Sequence, residues 1–189
     1  MATKKKVGIK VPTKNEILKK YGSMIIQASD TKEPGLWLPS TFFNLNYTLG
    51  GGFPWGKVTE IAGEESSGKS LIALNAAYAC QQLGGSVIWV DAEQSWMNSW
   101  AELNGIDPNK VTVIRDTRIE YISDAVADVA IYLRSQLVNN EPILLVVDSV
   151  AAIDCSDNID SKMVDGKAEM GGRAKALYRY FRIRSELFY

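Results

Sequence analysis

Val58-Thr59-Glu60-Ile61-Ala62-Gly63-Glu64-Glu65-Ser66-Ser67-Gly68-Lys69-Ser70 decides how this chain is read. Five residues of strand character run into G-x-x-x-x-G-K-S, and apolar residues at helical spacing follow at once. In that setting the motif acts as a phosphate cradle, a P-loop. Gly63 and Gly68 leave out the Cβ that would keep a curled backbone away from phosphate oxygens. The amides of Glu64, Glu65, Ser66 and Ser67, with the N-terminus of the following helix, make an anion site. Lys69 is placed to reach the β- and γ-phosphates, and the Ser70 hydroxyl to take a position on Mg²⁺.

Two further stretches end in acids. Ile143-Leu-Leu-Val-Val-Asp148 is an apolar strand closing on a carboxylate, the Walker B form. An acid at the carboxyl end of a buried strand faces the crevice where open α/β sheets bind ligands. Asp148 would hold Mg²⁺ directly or through water, with Ser149 orienting the surrounding groups. Ser86-Val-Ile-Trp-Val-Asp91 is the second such strand and continues into Ala92-Glu93. Glu93 is the candidate general base for the water that attacks the γ-phosphate; Asp91 is a strand-end cap or a supporting group behind it. The chain has no His, so acid–base work falls to carboxylates.

Outward from these motifs, the pattern predicts alternating elements. Thr13 caps a helix over 13–21, with Glu16 as its capping-box partner and Gly22 as its end. Phe42, Phe43, Leu45 and Leu49 are spaced for a short amphipathic helix capped by Thr41 or Ser40. A helix follows the P-loop to about Leu83, where Gly84-Gly85 closes it. Residues 94–104 read as a helix ended by Gly105, and Val111–Ile114 as a strand. Ile122, Val126, Val129, Leu133 and Leu137 keep helical spacing through 121–138. The strands 86–91 and 143–148 read as buried on both faces. Strand–helix alternation implies an α/β fold, a mainly parallel sheet flanked by helices with right-handed crossovers.

The 189 residues are 46% hydrophobic and 23% charged, ordinary for a globular chain long enough to bury a core. No apolar run approaches the roughly 18 residues that span a bilayer, and no apolar leader follows the N-terminal lysines. No membrane association is expected, and a cytoplasmic setting is the default. Cys80 and Cys155 have no metal-ligand spacing; Cys80 reads as a small core residue. The net charge of −1 hides an uneven distribution. Residues 1–20 sum to +6, residues 162–189 to +4, and the body between them to −11. Basic ends on an acidic body fit contact with nucleic acid or with a neighbouring subunit.

The runs G-E-E-S-S-G-K-S (63–70), V-I-W-V-D-A-E (87–93) and L-L-V-V-D-S-V-A-A (144–152) closely resemble the RecA family of homologous-recombination ATPases. K-Y-G-S-M-I (20–25) and L-G-G-G-F-P-W-G-K-V-T-E-I (49–61) are similar to that family's N-terminal helix region and its approach to the P-loop. The resemblance covers about residues 14–182. It implies a RecA-like P-loop NTPase core, partial over 36–189, preceded by a basic arm and helix over 1–35 that contacts another subunit. It also implies ATP and Mg²⁺ as cofactors, Glu93 and Lys69 as catalytic residues, and Ser70 and Asp148 as metal residues. Trp100 matches an aromatic that stacks on adenine, while Met97 departs from the family, which has an acid there. Met170, Gly171, Arg173, Lys175 and Arg182 match a DNA-binding loop and the helix after it, where cations would neutralise single-stranded DNA phosphates.

The resemblance further implies a recombinase that forms a helical filament on single-stranded DNA and promotes homologous pairing and strand exchange in repair. A RecA-fold helicase and a non-hydrolysing nucleotide-binding assembly module are the alternatives. In the family another strand lies between the P-loop strand and the Walker B strand, and it would follow beyond Tyr189. The expectation is therefore an N-terminal fragment with unpaired strand edges, inactive without a complementing piece.

Overall fold

A computed structural model of the chain describes residues 12–25, 36–139, 141–156 and 159. By its contacts the chain divides into two units, Met1–Gly35 and Leu36–Tyr189. In the first, helix α1 (Lys14–Tyr21) opens with a reciprocal capping box: the Glu16 amide donates to Thr13 Oγ1 at 3.3 Å, and the Thr13 amide to Glu16 Oε2 at 2.8 Å. Two orphan donors are thereby satisfied. A single 3₁₀ turn, Gly22–Met24, follows. None of the α1 residues is buried within this unit.

In the second unit, β1 (Trp37–Leu38) pairs antiparallel with β2 (Phe53–Pro54), and α2 (Phe43–Leu49) lies between them in sequence. Neither Thr41 nor Ser40 caps α2, contrary to the sequence expectation; the N-cap is Phe42. Both hydroxyls are committed elsewhere. Ser40 Oγ accepts the Phe42 amide and donates to Asn46 Oδ1, and Thr41 Oγ1 accepts from Asn75 Nδ2.

The core is a parallel sheet in the order β4 (Val111–Ile114), β3 (Ser86–Asp91), β5 (Ile143–Asp148). α3 (Lys69–Gln82) leads into β3, α4 (Asn98–Leu103) joins β3 to β4, and α5 (Ile119–Gln136) joins β4 to β5. Strand alternation sorts the apolar side chains. Val87, Trp89, Val113, Leu144 and Val146 pack with α3 and Ala101 of α4; Ile88, Val90, Ile114, Leu145 and Val147 pack with Ile122 and Val126 of α5. Helices therefore cover both faces, as an α/β sheet requires. Cys80, fully buried in α3, belongs to the first layer, and burial pushes its thiol up to about 12.

Three further expectations are corrected. Residues 58–62 form no strand; they have no ladder partner among the described residues, and Val58 is 71% exposed. A strand exists through pairing, and both edges of β3 are already taken by β4 and β5. Second, β5 is not buried on both faces: only Val146 is buried, because β5 pairs with β3 alone among the described residues. Third, α4 begins at Asn98 rather than 94, because the Asp91 carboxylate accepts the Ser95 and Trp96 amides and holds 94–97 in a turn.

Candidate functional site

The chain leaves β3 towards β4 and returns on the other side as β5, so strand order reverses between β3 and β5. The carboxyl ends flanking such a switch point border the ligand crevice of an open α/β sheet. β3 ends at Asp91 and β5 at Asp148, directly paired in register. Both belong to the strand positions that face α3, the helix that begins at the P-loop.

Gly68 is the N-cap of α3 with φ +91°, a left-handed conformation that a side chain would strain. It supplies no side-chain cap, so the first-turn amides of α3 keep no such partner. At Gly63 a Cβ would stand 2.7 Å from Ser67 Oγ, so a side chain there would have to displace that hydroxyl. Glu64, Glu65, Ser66 and Ser67 are exposed around this turn. Lys69 Nζ donates to the carbonyls of Gly63 at 3.1 Å and Glu64 at 2.7 Å, folded back over the loop. Those carbonyls are weak competitors for an ammonium that a polyphosphate approaches.

Ser70 Oγ donates to Asp148 Oδ2 at 2.7 Å, bringing together one group from the P-loop helix and one from β5. A hydroxyl and a carboxylate side by side are hard oxygen donors, the set that holds Mg²⁺ alongside substrate phosphates. Among the described residues no group of three or more His, Cys, Asp or Glu is placed to hold a metal ion. Beyond Asp148, Ser149 Oγ donates to Glu93 Oε1, tying the candidate base to the segment after β5.

Trp100 lines a cavity of about 40 Å³ together with Ser70, Trp96, Met97 and Asp148. The stacking candidate therefore shares its surroundings with the metal candidates, and 45% of it remains exposed. Trp96 and Trp89 are tilted against each other at 5.0 Å, which sets this wall on the core. Asp91 is wholly buried beneath the turn and takes Arg115 Nε at 3.1 Å. Sequence reasoning missed Arg115; the available signal was a cation ending one strand next to an acid ending its neighbour. Met170, Gly171, Arg173, Lys175 and Arg182 lie outside the described residues.

No described helix is long and apolar enough to cross a membrane. The model of the RecA N-terminal domain matches residues 10–185. "Protein RecA" of Malacoplasma penetrans (strain HF-2) is 36% identical over 169 residues, covering 89% of this chain and 48% of the relative. "Protein RecA" of Nitratidesulfovibrio vulgaris is 33% identical over 164 residues, covering 85% and 43%. That of Bacteroides thetaiotaomicron is 30% identical over 177 residues, covering 92% and 51%. The chain spans about half the length of the curated relatives it matches.

Proposed function

The chain belongs to the RecA family, and from that premise we propose that it is the ATP-binding portion of a DNA-dependent ATPase and recombinase. The observation that carries the site assignment is the Ser70–Asp148 hydrogen bond at the mouth of the P-loop, with Glu93 tied to Ser149 beside it. Residues 63–70 wrap the triphosphate, Lys69 leaving its two carbonyls for the β- and γ-oxygens. Trp100 stacks on the adenine. Ser70 and Asp148 hold Mg²⁺, which when bound neutralises charge on the β- and γ-phosphates.

Glu93 takes a proton from water as its oxygen bonds to the γ-phosphorus and the bond to the β,γ-bridging oxygen breaks, leaving ADP and inorganic phosphate. Release of Glu93 from Ser149 frees that carboxylate for the work. Met170, Gly171, Arg173, Lys175 and Arg182 contact single-stranded DNA, the three cations neutralising its phosphates. The 1–35 segment contacts the next subunit of a filament, in which homologous pairing and strand exchange serve recombination and repair in the cytoplasm.

The test is phosphate release by the protein with Mg²⁺ and ATP, with and without single-stranded DNA. Stimulation by DNA is expected. Nucleotide binding with no release under either condition would favour the assembly-module alternative.

A further inference from the structure

Asp91 is the one carboxylate among the described residues with no exposure at all, and a buried charge must be matched by donors. Four groups supply them: the Ser95 amide at 2.8 Å, the Trp96 amide at 3.2 Å, Ser95 Oγ at 3.5 Å and Arg115 Nε at 3.1 Å. Arg115 then reaches across the turn with its other arm, Nη2 donating to the Trp96 carbonyl at 3.3 Å. One guanidinium thus grips both the anchor of the turn and the turn itself.

Besides this clasp, the turn is held by the Trp96–Trp89 contact, by the Ala92 amide on the Asp148 carbonyl at 3.0 Å and by Ser149 on Glu93. Gln94 sits at φ +56°, a left-handed conformation that persists only when its surroundings enforce it. α4 has only six residues and no side-chain cap at Met97. Trp96 Nε1 donates locally to Asn98 Oδ1 at 2.8 Å. Yet the turn starts at Glu93 and carries Trp96 and Met97 to the cavity shared with Ser70, Trp100 and Asp148.

We propose that Arg115 is a positioning residue for nucleotide recognition: by clasping Asp91 and the Trp96 carbonyl it fixes the 92–97 turn, and so sets the wall that receives the base against the phosphate side of the site. This rests on the ATP-site reading above. The guanidinium spends its hydrogen bonds on Asp91 and Trp96 rather than on the P-loop, so the clasp governs the base and not the phosphates. The side chain of Arg115 is 53% exposed, so its removal opens no core cavity.

The experiment is calorimetric titration of parent, Arg115→Ala and Arg115→Lys with Mg²⁺–ATP and, separately, with Mg²⁺–tripolyphosphate, which has no base. Arg115→Ala is expected to weaken ATP about tenfold and leave tripolyphosphate unchanged. Arg115→Lys keeps the charge beside Asp91 but lacks the planar fork that makes both bonds, so it falls between the two. Asp91→Asn is expected to show the same split. Unchanged ATP affinity in Arg115→Ala overturns the proposal, as does an equal weakening of both ligands or a failure of both Arg115 variants to fold, which would make the role structural. If the parent binds neither ligand, the ATP-site reading itself fails and this inference with it.

Discussion

Asp148→Asn isolates the charge of the metal site from its geometry. The Ser70 hydroxyl now donates to Asp148 Oδ2 at 2.7 Å. An asparagine of the same size keeps one carbonyl oxygen able to accept that bond. A hydrogen bond of this kind contributes about 1 kcal/mol net, and retaining its acceptor leaves the thermal midpoint nearly where it was. What disappears is the anionic ligand of a divalent cation. A loss of at least about a hundredfold in Mg²⁺-dependent nucleotide affinity or turnover is expected, equal to roughly 2.7 kcal/mol at 1.36 kcal/mol per tenfold. The assay is a Mg²⁺ titration at fixed ATP, read by tryptophan fluorescence, since Trp96 and Trp100 share a cavity with Asp148. The parent should show a saturable Mg²⁺ midpoint, and Asp148→Asn should shift it upward by two orders of magnitude while the melting curve stays put. An unshifted midpoint would remove Asp148 from the metal site. A large drop in melting temperature with the midpoint retained would make it a structural residue instead.

Lys69→Ala should abolish productive triphosphate binding, whereas Glu93→Gln should bind ATP normally and release no phosphate; turnover of Glu93→Gln at the parent rate would disqualify it as the base. Alanine at Arg173, Lys175 and Arg182 together should weaken single-stranded DNA binding and lower the log–log salt slope by roughly 0.7 for each phosphate no longer neutralised; an unchanged slope moves the DNA site elsewhere. Asp116 offers a pH test: the hydrogen bond from the Arg118 side chain holds its carboxyl down at about 2, from an ordinary 3.8. A lowered folded-state value contributes stability that is present above the ordinary value and is lost as pH falls from near 4 towards 2. Asp116→Asn should therefore flatten stability against pH in that window alone, measured by urea unfolding at several pH values; an unaltered acid limb would show that the pair is too exposed to matter.

The elements that carry their own pattern were legible. α5 holds apolar residues at the helix period over 18 residues, β3 is a short continuous apolar run closing on an acid, and the Gly63–Ser70 motif has its helix behind it. What escaped depends on partners rather than on residues. Val58, Thr59 and Ile61 have strand character, yet 58–62 pairs with nothing described, since propensity specifies a fit to a neighbour and does not supply one. The start of α4 moved because the Asp91 side chain outcompetes helix propensity for the amides of Ser95 and Trp96. Arg115 lies 24 residues from Asp91, and no local pattern links them. Parallel register does: Val90 stands opposite Ile114, so the next residue of each strand is Asp91 beside Arg115. The acids at the strand ends could be found one at a time, because each sits at a carboxyl edge where ligands gather. The clasp between the strands becomes visible only once β3 and β4 are aligned by their ladder, Val87 opposite Val111 through Val90 opposite Ile114.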